Sequence, residues 1–104
     1  MKHFPDLIRK LPPYKGRFDA FQLAATNCKV LFASYPKGTV IEEHTHDTEN
    51  VGVITQGELI LITQDGEQRY RPGDWYHLDA HQPHAARFDQ VTSEVEFWFD
   101  RAQS

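Results

Sequence analysis

From residue 28 onward, hydrophobic and polar positions alternate in short runs that turn-forming residues cut apart every few positions. The breaks fall at Pro36-Lys37-Gly38, Gln56-Gly57, Asp65-Gly66, Pro72-Gly73-Asp74, residues 79–83 and Asp89-Gln90. The runs between them, 28–35, 39–46, 50–55, 58–64, 67–71, 75–78, 84–88 and 94–99, are of strand length. No helix-length periodic segment interrupts them, so an antiparallel all-β sandwich or barrel is predicted. Asp65-Gly66 suits a tight hairpin between two apolar strands.

The two-residue period of a strand assigns faces. Over 39–46, Val40, Glu42, His44 and His46 share one face, while Thr39, Ile41, Glu43 and Thr45 share the other. Trp75 and His77 oppose Tyr76 and Leu78, and Val95, Phe97 and Phe99 oppose Glu94, Glu96 and Trp98. The aromatic run 97–99 is expected in the core, with Trp98 a candidate for a pocket wall or a dimer interface. Leu59-Ile60-Leu61-Ile62 is apolar on both faces and is expected between two layers. Upstream, residues 6–11 suit a helical turn ended by Pro12-Pro13, and 18–23 a leading strand. The expected organisation is an N-terminal leader over 1–27 and a barrel domain over 28–104.

Composition narrows the function classes. A chain of 104 residues supports one core. Its single cysteine, Cys28, rules out an intramolecular disulfide or a multi-thiolate metal site and is read as a small buried strand residue. No window approaches the ~20 apolar residues of a membrane span, and charge interrupts the first ten positions, so a cytoplasmic protein away from membranes is expected. The net charge of −4 divides into +5 over residues 1–37 and −9 over the remainder. An acidic barrel lacks the dense basic footprint that nucleic acid requires. The basic leader is either solvated or pairs with the acidic face of a second copy in a homodimer.

Five of the six histidines, His44, His46, His77, His81 and His84, lie between positions 44 and 84. His44 and His46 leave one strand face about 6.6 Å apart along the chain. Two imidazoles so placed converge on a single ion at metal–nitrogen distances of about 2.0–2.1 Å. Residues 73–84 supply another strand, a turn fixed by Pro83, and His84 as a third donor.

Gly38, five residues, His44-Thr45-His46 and then Gly57 resemble the first cupin motif, Gly-x5-His-x-His-x3-4-Glu-x6-Gly. Gly66, Pro72-Gly73-Asp74 and Pro83-His84 resemble the second, as found in small single-domain bacterial cupins. The resemblance covers residues 28–100. It implies a jelly-roll-like double-stranded β-helix enclosing one divalent transition metal, with His44, His46 and His84 as ligands. Asn50 stands where the motif has glutamate, and Glu49 falls one residue early. Parity favours Asn50 facing the site, unless a bulge turns Glu49 inward.

Three imidazoles and an amide leave such an ion with its full charge, which favours anionic substrates. Iron, manganese, nickel, zinc and copper all suit imidazole-rich ligation. If the Trp75 face lines the barrel, His77 stands near the metal as a general acid or base, with Tyr76 the other candidate proton carrier. His81 is expected in a solvent-facing turn, and His3 in the leader. Glu42 is either a rim carboxylate or a support for His44, and Gly52 leaves space in the cavity. The implied function is a metal-dependent enzyme, a dioxygenase or a redox-neutral isomerase or lyase, acting on a small polar or anionic metabolite. The alternative, a non-catalytic binding or sensing module, rests on the missing ligand carboxylate and on the lack of a second carboxylate beside the histidines.

Overall fold

The computed structural model describes residues 4–15 and 19–99. A helical turn, α1 (Asp6–Arg9), precedes nine strands: β1 (Asp19–Ala25), β2 (Cys28–Tyr35), β3 (Val40–His44), β4 (Glu49–Gln56), β5 (Leu59–Thr63), β6 (Gly66–Tyr70), β7 (Trp75–Leu78), β8 (His84–Arg87) and β9 (Thr92–Phe99). They form two antiparallel sheets in the orders β1-β2-β9-β4-β7 and β3-β8-β5-β6. Each of the eight predicted runs from residue 28 onward overlaps one of these strands, and β4, β6 and β9 begin one or two residues earlier than predicted. No helix among the described residues is long and apolar enough to cross a membrane.

The sheets face each other across a core in which Leu31, Ala33, Ile54, Leu59, Leu61 and Phe88 are buried. Tyr35 of the first sheet stacks on Phe88 after β8, with ring centroids 4.2 Å apart. The apolar 59–62 run lies in β5, with Leu59, Ile60 and Leu61 all buried. The β5–β6 hairpin turns at residues 64–65, one position before the predicted pair, and Gly66 follows in the left-handed region at φ 103°.

The first sheet extends upstream of residue 28. β1 pairs with β2 along its whole length, from Asp19↔Ser34 to Ala25↔Cys28, so a strand from the predicted leader forms the sheet edge. Phe4 lies edge-on against Phe32 on the outer side of that sheet, at 5.8 Å. The predicted start of this strand at Phe18, and His3, lie outside the described residues.

Two face assignments are corrected. In β3 the pairing with β8 shifts by one residue between Ile41↔Ala86 and His44↔His84. This bulge places Ile41 on the same inner side as His44 and leaves Val40 exposed, where uninterrupted alternation groups Val40 with His44. In β9 it is Glu94, Glu96 and Trp98 that face the interior; each glutamate is only 2% exposed, whereas Phe99 is 40% exposed. The outer side of this sheet is itself apolar, with Trp75 stacked on Phe97 at 6.2 Å. Hydrophobic alternation therefore marks two faces of β9 without saying which is inside.

Candidate metal centre and its cavity

His44 closes β3, His46 lies two residues on in the loop to β4, and His84 opens β8. Cross-strand pairing sets His44 opposite His84. The ring centroids are 4.5 Å (His44–His46), 4.3 Å (His44–His84) and 5.1 Å (His46–His84) apart. One ligand nitrogen from each ring lies within 4.8 Å of the other two.

The rings are oriented from behind. Nδ1 of His44 donates to the Glu42 carbonyl at 2.8 Å, and Nδ1 of His84 donates to the Gln82 carbonyl at 2.9 Å. Since a carbonyl only accepts, the proton of each neutral ring sits on Nδ1 and Nε2 keeps its lone pair. His46 meets Trp98 edge-to-face at 4.7 Å, and its carbonyl accepts from the His81 amide at 2.6 Å. Burial lowers the His84 pKa against the raising influence of its bond to Gln82, and repulsion from His44 lowers it further. Three imidazoles with ligand nitrogens this close are a donor set that fits a borderline-soft divalent ion.

The other predicted site residues separate. The register of β4 is unbroken from Glu49↔Phe99 to Ile54↔Glu94, so no bulge turns Glu49 inward. Asn50 is buried on the cavity side, where Nδ2 donates to the Phe97 carbonyl at 3.2 Å and Oδ1 is left as the atom suited to ligation. Glu49 is exposed and takes a 2.9 Å contact with His77 Nε2, which also stands 3.6 Å from Asp79. His77 is thus on the outer face beside Trp75, itself 58% exposed, and the expectation that it stands beside the three-histidine cluster is corrected. The same parity that carries His77 out carries Tyr76 in. His81 is exposed, with φ 65° in the 79–82 turn.

Tyr76 reaches across the core, and its hydroxyl donates to Glu94 Oε2 at 2.5 Å. Gly52 makes room for it: a Cβ there would lie 2.3 Å from Tyr76 Cζ, so the space opened by the missing side chain is filled by the phenol. Beside this pair, Tyr35 donates to Glu96 Oε2 at 2.5 Å and Trp98 Nε1 donates to Glu96 Oε1 at 3.2 Å. Burial pushes both carboxyl pKa values up, Glu94 well above the ordinary value and Glu96 to about 7. The charge of Glu96 raises Glu94 further, whereas hydrogen bonds from Tyr35 and Trp98 hold Glu96 down. The two carboxyls also hydrogen-bond each other, so the pair retains a proton at neutral pH.

The three histidines, Asn50, Tyr76, Glu94, Glu96 and Trp98 line one cavity of about 510 Å³, whose remaining wall combines aliphatic and aromatic side chains with Lys29, Asp47 and Thr48. Sequence reasoning missed the two acids. The signal was the Glu94-x-Glu96-x-Trp98 alternation, which puts both acids on the face of Trp98, a candidate pocket wall.

Residues 31–98 match the family model of the cupin domain. No curated protein matches the chain. Among solved structures, a cupin superfamily protein from Desulfitobacterium hafniense DCB-2 is 18% identical with a TM-score of 0.75, over 95% of this chain and 96% of that one. Ectoine synthase from P. lautus is 17% identical with a TM-score of 0.76, over 90% and 73%. A DMSP lyase from Ruegeria pomeroyi DSS-3 is 20% identical with a TM-score of 0.73, over 93% of this chain and 55% of that one. At these identities the likeness shows a shared fold. Two face-to-face antiparallel sheets, a histidine cluster at the ends of β3 and β8, and a family match over most of its length make this chain a member of the cupin family.

Proposed function

We propose that this cupin is a mononuclear metal-dependent enzyme with redox-neutral, proton-transfer chemistry, an isomerase or lyase acting on a small polar metabolite. The observation that carries the reading is the pre-aimed set of His44, His46 and His84 in a cavity that also holds Tyr76, Glu94 and Glu96. When bound, a divalent ion supplies Lewis acidity to an oxygen of the substrate. Asn50 Oδ1 is the remaining protein donor on the same wall.

The chain's own residues supply the rest. Tyr76 presents a hydroxyl that donates to Glu94, and the carboxyl pair, already holding one proton, takes a second from the substrate and returns it, which moves the pair from one negative charge to none and back. Leu31, Ile41, Leu59, Leu61 and Leu78 give the cavity an apolar side next to these groups. These carboxyls also remove one support for a purely sensory module, the lack of a second carboxylate in the pocket. Proton chemistry favours the redox-neutral reading over a dioxygenase.

The test is to reconstitute the protein with iron, manganese, nickel, zinc or copper and to assay a panel of hydroxy acids, diketones and thiols by NMR alongside an oxygen electrode. Turnover without oxygen uptake, lost in Tyr76→Phe, is the expected result. Turnover coupled to oxygen uptake assigns the dioxygenase instead, and ligand binding without turnover by any of the loaded forms assigns the sensory module.

A further inference from the structure

The same cavity has the three histidines at one end and two buried carboxyls at the other, and Trp98 touches both. Its ring meets His46 at 4.7 Å, while its Nε1 donates to Glu96 at 3.2 Å. The partners of the two carboxyls among the described residues are Tyr35, Tyr76, Trp98 and each other, and none of these is cationic. Lys29, at the rim, is exposed and holds its Nζ over the Tyr14 ring, 5.7 Å from the centroid. Two buried acids with no basic partner are an uncommon arrangement, because a buried carboxylate without a counter-charge is costly. A proton held by the pair reduces that cost, and a cation brought against the carboxyl oxygens offsets what remains.

We propose that Glu94 and Glu96 make this a site for small zwitterions. The ligand's carboxylate lies at the histidine end, and an ammonium-type cation lies toward the carboxyl pair, about the span of one indole away. This rests on the metal reading above for the anionic end only. It also revises the expectation of a simply anionic substrate: the bound ion attracts one carboxylate, whereas a second carboxylate meets the charge of the glutamate pair at low dielectric and is repelled. A cation at that end gains charge-assisted hydrogen bonds to carboxyl oxygens, and the Trp98 indole offers an aromatic face alongside.

The experiment is calorimetric titration of the full chain, loaded with zinc and with its metal content measured, against β-alanine, propionate, succinate and propylamine. β-Alanine should bind at least about tenfold more tightly than propionate, and succinate should bind most weakly. In Glu94→Gln/Glu96→Gln the affinity for β-alanine should fall to that for propionate. Equal binding of β-alanine and propionate by the unmodified chain, or a preference that survives the double substitution, would overturn the proposal. The ranking in the unmodified chain decides the matter even if the double variant does not fold. A chain that takes up no metal contradicts the metal reading, and propylamine then tests the carboxyl end alone: saturable binding lost in Glu96→Gln supports the proposal, and no binding overturns it.

Discussion

Each of His44 and His84 spends its Nδ1 proton on a carbonyl two residues away, so ring orientation is fixed by local backbone. Truncating a ligand therefore removes a donor that was already aimed, and His84→Ala should lower metal affinity by far more than the roughly 10–100-fold that loss of an outer hydrogen bond costs. A competitive chelator titration measures it. The three histidines were legible in the sequence because their spacing is dictated by the ion they suit. Glu94 and Glu96 were not, because acids on an alternating strand are ordinarily solvated, and their burial depends on Tyr35 and Tyr76, which come from two other strands. Gly52 shows the same dependence. Its missing side chain accommodates the Tyr76 ring, so Gly52→Ala should destabilise the fold by about 1–3 kcal/mol in urea titration and weaken the Tyr76–Glu94 contact.

The β3 bulge is the element that makes the site. With one extra residue between Ile41 and His44, the strand turns an apolar side chain near its start and a histidine at its end toward the same cavity. The sequence shows the residues of this strand but no local signal for the extra one, since Glu42 and Glu43 suit either exposed position. β7 is the opposite case. Its alternation was read correctly as two faces, and the direction was set only by the packing of Trp75 against Phe97 outside and Tyr76 against the core inside. His77 accordingly belongs to an exposed pair with Glu49. His77→Ala should leave metal content unchanged and alter stability by less than about 1 kcal/mol, as judged by elemental analysis and urea titration.

Across the whole molecule, turn spacing and strand length made the two-sheet architecture readable. The place of β1 was not, because residues 1–27 carry charge and prolines that read as a leader until pairing with β2 is seen. The buried acids also give the molecule a pH-dependent stability. Both carboxyl pKa values are raised on folding, so the native state holds more protons than the unfolded chain above the ordinary value of 4.5. Their contribution is complete below that value and is lost as pH rises through about 7. The loss runs at up to about 1.4 kcal/mol per pH unit for each proton. Urea titration of metal-free protein at pH 5 and pH 8 should show this decline, and Glu96→Gln should reduce it. Acid acts oppositely on the metal, which should leave as pH falls below the ordinary histidine range near 6.5, a loss that the burial-lowered pKa of His84 opposes.

The central claim is that His44, His46 and His84 form a metal centre, and its most direct test is elemental analysis of protein purified without an affinity tag, before and after reloading with divalent metals. The account predicts about one ion per chain, lost in His44→Ala/His84→Ala. A content that stays well below one ion per chain after reloading would contradict it.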